Sequence, residues 1–370
     1  MAAISKMNLK TRTGIRSGSN ILGGVVLLLL ALGCTTPTTT PGSMKRIAVS
    51  DGWLAMGTFF EADIRVRPDQ TGSAGTWLEW ARVEIARLEG IYSRHDPDSA
   101  VSALNRELAR DEVVLNGARL DPELESILLS SIKVWEGSGG AFDITIGPLV
   151  DVWNDAAARG KWPAVERLRQ AKRRVGSQGL LLLGEGELGL TTEGMQLDLD
   201  GIAKGAVLDR LRERFEADLP GAAALLSFGQ SSILAIGDPD GGGWQLVVRS
   251  RNPSHGNLAT VQLRDRALSV SSSVGSVIEI AGERISHVID PRTGSAIEET
   301  VEAIVVADRA AIADAWSTAL LVIGANRAAL RLIEKAGLEA HVVESSGRSL
   351  ISRGWESVLS TTPSVDQAAQ

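Results

Sequence analysis

The sequence predicts an α+β fold, in which mixed and antiparallel sheets carry packed helices. In the first part of the chain, strand-like alternation and helix-like apolar spacing take turns. From Ala222 onward short apolar runs dominate, separated by Gly, Asn, Asp or Pro, and this tight spacing indicates antiparallel pairing. No internal repeat is apparent; the alternation and the strand-rich second half point to an α+β architecture, and about 320 residues after residue 47 are enough for one large domain or two closely joined halves.

The N-terminus limits the chemistry first. Lys6, Lys10, Arg12 and Arg16 precede an apolar run from Ile21 to Leu32, and Gly33-Cys34 follows, the pattern of a secretory signal. That run is well short of the ~20 residues a helix needs to span a bilayer. Cys34 is the only cysteine in the chain. Ala31-Leu32-Gly33-Cys34 resembles a bacterial lipobox, which implies that Cys34 is lipidated and becomes the new N-terminus on the periplasmic side of a membrane. Residues 34–47 then read as a flexible Thr/Pro/Gly/Ser tether, 48–360 as the functional domain, and 361–370 as a disordered tail. Removing residues 1–33 takes away four positive charges and no acid, which moves the net charge from −7 to −11. Such acidity argues against nucleic acid as a partner. With Cys34 committed, metal chemistry falls to oxygen ligands and the four histidines.

Along the domain, Ala48 to Val66 alternates as a strand around Met56-Gly57-Thr58, and Thr76 to Ile91 has helical spacing. Tyr92 to Ser99 is a loop, and Asp98 or Ser99 caps a short helix, Ala100 to Leu108. Asp121-Pro122 opens a helix that stops at Gly137-Ser138-Gly139-Gly140. In Ala141 to Pro148, bordered by glycine, the backbone can approach a ligand closely. Arg167 to Arg174 reads as a solvated helix face. Leu188 to Leu190 and Met195 to Leu199 read as a hairpin, ending in Asp198-Leu199-Asp200-Gly201-Ile202-Ala203-Lys204-Gly205, after which a helix runs to Phe215. The unpaired N–H groups at such a helix start suit phosphate, and Lys204 adds charge; the same residues also fit an ordinary capped junction. His287 is placed on a strand leading into an Asp290-Pro291-Arg292-Thr293-Gly294 turn, as a general base or as a half-buried strand residue.

After the strand Val301 to Ala307, the Ala- and Leu-rich segment Ala310 to Ile323 is predicted helical, with Gly324 as its stop. Asp314 and Thr318 then stand four residues apart on one face. A carboxylate and a hydroxyl so placed suit a hard cation such as Mg²⁺, which completes its octahedron with phosphate and water. They equally fit an Asp favoured by the helix dipole and a Thr bonded back to a carbonyl.

Taken together these stretches resemble the ApbE family of FAD:protein FMN transferases. The resemblance rests on Met56-Gly57-Thr58, Asp96 to Ser99 with Leu104-Asn105, Gly139 to Asp143 with Thr145 and Gly147-Pro148-Leu149, Asp198 to Gly205, Ser286 to Gly294, and Ala313 to Leu320. These follow one another in the family's order. The resemblance implies a T-fold-related architecture and Mg²⁺-dependent transfer of FMN from FAD to a Ser or Thr hydroxyl of an acceptor flavoprotein, releasing AMP. It implies that Asp314, Thr318 and the main-chain oxygen of Gly201 hold the metal. By the same resemblance Met56, His95, Ala141, Phe142, Asp143, Asp198, Lys204 and the backbone near Ile289 would line the FAD site, and His287 would assist deprotonation of the acceptor. Flavin-carrying subunits of respiratory redox pumps or extracytoplasmic reductases are the implied class of acceptor. Four departures stand out: Gly229-Gln230-Ser231 replaces a Gly-Gly-Asp or Gly-Gly-Asn turn, Ser271-Ser272-Ser273 replaces Thr-Ser-Gly, Ala206 replaces Tyr, and His95 replaces an aromatic. Two alternatives share the site: hydrolysis of FAD to FMN and AMP, and a flavin-binding lipoprotein without turnover.

Overall fold

A computed structural model describes residues 45–109, 118–184, 186–274 and 277–360. The expectations for the leader, Cys34, nearly all of the tether and the tail fall outside these residues.

The chain opens with strands β1 (Ile47–Ala55) and β2 (Thr58–Val66), an antiparallel hairpin pairing Ala55 with Thr58 across Met56-Gly57. Met56 and Gly57 both have positive φ, 50° and 70°, which turns the single strand expected over 48–66 into two. Helices α1 (Thr71–Tyr92), α2 (Ala100–Leu108) and α3 (Pro122–Ser138) follow, with the short β3 (Ala118–Arg119) before α3. Ser99 caps α2 by accepting from the Ser102 amide, and Asp121 caps α3 by accepting from Glu123, with Pro122 in its first turn. Helix α4 (Gly147–Arg159) begins at the Gly147-Pro148 step itself, and α5 (Val165–Lys172) is the exposed basic helix.

The predicted hairpin lies elsewhere. It is β4 (Leu180–Gly184) with β5 (Glu187–Leu190), while Met195 to Leu199 is extended chain outside any named strand. That segment is held from two sides: Gln196 makes a parallel bridge to Ile146, and Asn105 donates to the Leu197 carbonyl at 2.9 Å and accepts from the Leu197 amide at 2.7 Å. An amide side chain therefore does for Leu197 what a neighbouring strand would do.

Helix α6 (Ala203–Asp218) leads to β6 (Ala223–Phe228), β7 (Ser232–Ile236), the hairpin β8 (Trp244–Arg249) and β9 (Asn257–Leu263), and β10 (Arg266–Ser272). A small hairpin, β11 (Val277–Ile280) and β12 (Glu283–Ser286), precedes β13 (Val301–Ala307), α7 (Ala310–Ile323), α8 (Arg327–Ala336), β14 (Glu339–Glu344) and β15 (Ser349–Ile351). Eight strands form one sheet in the order β1-β2-β6-β7-β10-β13-β14-β15, antiparallel at every step.

Both faces of this sheet are covered. Alternate residues of β13, Val301, Ala303 and Val305, enter the main core with α1, α6 and α7, whereas Ile304 and Val306 pack with Trp244, Val261 and Trp355 on the other face. All seven residues of β13 are buried for that reason. On the helical side the Trp77 ring meets Phe215 edge-on at 5.2 Å, joining α1 to α6. A separate cluster holds α4 with Ile280 and Ile289.

Candidate functional site

The site is assembled where the start of α6 meets the face of α7. Alanines at 310, 311, 313, 315 and 319 are all buried, so small side chains bring α7 close to its neighbours. Asp314 is 4 % exposed in this setting. Its Oδ2 accepts from the Gly205 amide at 3.0 Å, and its Oδ1 from Ser232 Oγ at 3.0 Å and Ser269 Oγ at 3.2 Å. Burial pushes its carboxyl above the usual carboxylate range, opposed first by Lys204 and then by these three donors. A carboxylate dehydrated to this degree is one whose ionised form an added cation would favour.

Thr318 lies one turn on, with Oγ1 3.4 Å from the Asp314 carbonyl, so the backbone-bonded reading of this threonine holds geometrically. The same hydroxyl also points across to Gly201. A Cβ built on Gly201 would lie 3.1 Å from the Phe142 ring and 3.3 Å from Thr318 Oγ1. Gly201, Phe142, Thr318 and Asp314 are thereby brought together. One carboxylate, one hydroxyl and nearby main-chain oxygen match the sparse donor set a Mg²⁺ ion takes from protein. Among the described residues no three His, Cys, Asp or Glu side chains cluster as a metal site of their own. An all-oxygen donor set of this kind is the chemistry a hard cation such as Mg²⁺ takes.

Helix α6 has Ile202 at its N-cap, whose side chain offers no acceptor; the Ala203 amide donates to the Leu199 carbonyl at 2.9 Å and the Gly205 amide to Asp314. Its positive end, with half-buried Lys204 in the first turn, is available to an anion. The chain enters it over Asp198, whose amide donates to the Ile144 carbonyl at 2.7 Å. Arg94 Nη1 reaches Asp198 Oδ2 at 2.8 Å and Arg94 Nη2 reaches Asp151 at 2.6 Å. Burial raises the Asp198 carboxyl, the nearby Asp200 raises it further, and Arg94 offsets part of both. His95 pairs with Asp200 at 3.1 Å, with both side chains largely exposed.

Ala141 and Phe142 are buried behind the left-handed glycines Gly139 and Gly140, and the Phe142 amide donates to Ser138 Oγ at 3.2 Å. Asp143 turns the other way. It accepts from Thr145 N and Oγ1 at 2.9 and 2.6 Å, and from Ser177 N and Oγ at 3.1 and 2.7 Å. Its carboxylate shapes the 141–147 loop, and nothing in this geometry directs it toward a ligand. Ile289 also buries its side chain, in the α4 cluster with Leu149 and Trp153, so what it has left to offer is backbone. His287 is exposed in a bend one residue beyond β12 and is not on a strand as its sequence context predicts. The strand ends at Ser286 because Ser286 Oγ turns to accept from the Val288 amide at 3.1 Å.

The departures fit locally. Gly229 and Gln230 are both left-handed, at φ 53° and 63°, so the turn geometry survives with a strained glutamine in it. A Cβ on Gly229 would sit 2.1 Å from Thr58 Oγ1, which places this turn against the β1–β2 tip carrying Met56. Ser271, Ser272 and Ser273 all keep negative φ, so no glycine is needed there, and their hydroxyls bond Ser317, Glu302 and the Val301 carbonyl. Sequence reasoning missed Arg94, Ser232 and Ser269. Arg94 lay inside a loop already flagged, whereas the two serines reach Asp314 from strands 82 and 45 residues away and carry no local signal.

Comparisons with known proteins bear on the family and the fold. The family model described as the ApbE family matches residues 56–342. The FAD:protein FMN transferase of Escherichia coli (strain K12) is 27 % identical over 338 residues, covering 88 % of this chain and 93 % of the relative. That of Treponema pallidum (strain Nichols) is 29 % identical over 294 residues, covering 75 % and 79 %. The apo flavinyl transferase ApbE of Pseudomonas stutzeri superposes with a TM-score of 0.74 at 22 % identity, covering 86 % of this chain and 99 % of that one. The Thermotoga maritima ApbE protein gives 0.73 at 22 % identity, covering 85 % and 100 %. At those identities the structures speak for the fold alone, and it is the family model, spanning most of the described residues in sequence, that assigns this chain to the ApbE family.

Proposed function

We propose that this chain transfers FMN from FAD to a Ser or Thr hydroxyl of an acceptor flavoprotein and releases AMP. The observation that carries the reading is the convergence of Asp314, Thr318, Gly201 and Phe142 beside the N-terminus of α6. The name shared by the relatives, FAD:protein FMN transferase, supports it.

In this reading Asp314, Thr318 and the Gly201 main-chain oxygen hold Mg²⁺. The ion, when bound, offsets charge on the diphosphate of FAD. Lys204, in the first turn of α6, binds diphosphate oxygens, and the positive end of the helix favours an anion there. Phe142, Ala141 and Met56 supply apolar surface, while Asp198, His95 and the backbone at Ile289 supply polar contacts to the rest of FAD. His287 takes the proton from the acceptor hydroxyl, which is too weak a nucleophile at neutral pH without a base. The acceptor oxygen bonds to the FMN phosphorus, the bond to the bridging oxygen breaks, and that oxygen leaves on AMP.

The exposure of His287 favours a second reading, in which water takes the acceptor's place and FAD is hydrolysed to FMN and AMP. One assay separates them: the soluble domain with FAD, Mg²⁺ and a protein carrying a flavinylation motif, followed by denaturing electrophoresis. Transfer gives a fluorescent acceptor band. AMP without a band leaves hydrolysis, and retained flavin without AMP leaves a binding protein. Asp314→Ala is expected to lower Mg²⁺-dependent turnover by about two orders of magnitude or more, since a metal contributes several kcal/mol at this kind of transition state. Unchanged turnover would refute the metal assignment.

We also place the mature protein at the periplasmic side of a bacterial membrane, held by a lipid on Cys34. The lipobox-like segment supports this. No helix among the described residues is long and apolar enough to cross a membrane.

A further inference from the structure

Helix α7 starts without a cap of its own. Arg309 occupies its N-cap position in an extended conformation, φ −111° and ψ 133°, and its side chain accepts no hydrogen bond. The first amides of a helix have no partner within it and need an acceptor. Here the acceptor comes from another helix. Asp209 of α6 takes the Ala310 amide on Oδ1 at 2.7 Å and the Ala311 amide on Oδ2 at 3.1 Å, and Arg309 Nε lies 3.4 Å from the same carboxylate.

Asp209 is the middle of three contacts along one face of α6. Gly205, four residues before it, donates its amide to Asp314 Oδ2 at 3.0 Å, and a Cβ there would stand 2.3 Å from the Ala310 carbonyl oxygen. Arg212, three residues after it, donates to the Asp308 carbonyl at 2.8 Å. Residues 205, 209 and 212 share a helical face, and together they clasp residues 308–314. A serine or aspartate at position 309 would satisfy the same amides locally, without burying a carboxylate between two helices. What the cross-helix arrangement adds is register: it fixes where α7 stands relative to the start of α6.

We propose that Asp209 is a positioning residue, which locks α7 to α6 so that Asp314 and Thr318 face Gly201 and Lys204. The proposal rests on the reading of Asp314, Thr318 and Gly201 as Mg²⁺ ligands, and its test keeps the two apart. Mg²⁺ is titrated calorimetrically into FAD-saturated protein without acceptor, and thermal unfolding is followed in parallel. Asp209→Ala is expected to weaken Mg²⁺ binding roughly 10- to 100-fold, the range in which partners of metal ligands act, and to lower Tm. In Asp209→Ala/Arg309→Ser the serine caps α7 locally, so Tm recovers while Mg²⁺ binding stays weak. Asp209→Asn, which keeps one acceptor oxygen, falls between wild type and Asp209→Ala, and carries the comparison if the alanine variant does not fold. Wild-type Mg²⁺ affinity in Asp209→Ala or Asp209→Asn, or recovery of affinity together with Tm in the double variant, would overturn the positioning role. If Asp314→Ala itself binds Mg²⁺ normally, the ligand assignment fails and the Asp209 proposal fails with it; if Asp314→Ala loses Mg²⁺ and Asp209→Ala does not, only the latter fails.

Discussion

Carboxylates taken out of water must be satisfied by the chain, and this protein does so in ways that separate framework from function. Asp143 is met by four neutral donors from two residues, three of them on Oδ1, which tie it to the 141–147 loop and Ser177. Asp198 is met by a guanidinium, and Asp314 by one amide and two hydroxyls with Lys204 nearby. In the proposed reading the cation goes to Asp314, which stands one helical turn from Thr318 on a face packed against Gly201. His341, on β14 and remote in the sheet from these groups, gives a residue-scale test of burial alone. It is 9 % exposed, its Nε2 lies 2.7 Å from Ser349 Oγ, and its Nδ1 finds no partner among the described residues. Burial holds its pKa below the usual 6.5. The unfolded chain therefore binds the proton more readily than the folded one between that depressed value and 6.5, so stability is complete above 6.5 and is lost as the pH falls below it. His341→Phe, which keeps a ring beside Trp355, should show a smaller fall in Tm between neutral and mildly acidic pH. Equal slopes for the two proteins would show that the ring is not the titrating group.

Among the elements, α6 and α7 decide the site, and the tightness of their contact can be tested at Gly205. An alanine there would gain at most about 1 kcal/mol of helix propensity. Its Cβ, 2.3 Å from a backbone carbonyl oxygen that cannot swing aside, would force the helices apart at a cost of about 1–3 kcal/mol or more. The clash wins: Gly205→Ala should lower Tm and weaken Mg²⁺ binding together, and a variant at least as stable as wild type would show that the helices separate freely. The sequence carried α7 well, because an Ala-rich segment ending in Gly324 has one reading and the Asp314–Thr318 spacing follows from the helix itself. It carried the helix start at Ala203 for the same reason. The hairpin over Met195 to Leu199 failed because its partners are the backbone at Ile144 and Ile146, in a parallel bridge, and the Asn105 side chain, 92 residues from Leu197, and alternation names no partner. His287 failed because one serine hydroxyl ends β12 a residue early. Ser232, Ser269 and Asp209 act only through tertiary contacts, so no local pattern marks them.

At the scale of the whole molecule, one antiparallel sheet buried on both faces fixes the stretches of the site that are far apart in sequence. The β1–β2 tip and the β6–β7 turn abut through Thr58 and Gly229, while β7 and β10 present Ser232 and Ser269 to α7 packed above them. The antiparallel order was legible in the close spacing of strands after Ala222; the strand sequence across the sheet was not, since β10 and β13 pair across an intervening hairpin. This framework is complete within the described residues: Arg46 already bonds back to the Gly221 and Asp238 carbonyls, and β1 starts at Ile47. In the proposed reading the lipid on Cys34 serves only as an anchor, so a mutation there should change location without changing chemistry. In a bacterial host the full chain is expected in the membrane fraction, released by detergent and not by high salt, because attachment through an acyl group depends on buried hydrocarbon and not on charge. Cys34→Ser should move it to the soluble fraction or leave it uncleaved as a precursor, while a purified domain starting at Lys45 keeps wild-type FAD turnover. A Cys34→Ser protein that is processed normally and still sediments with membranes would exclude the lipid anchor, and loss of turnover in the domain starting at Lys45 would show that the leader and tether take part in the site.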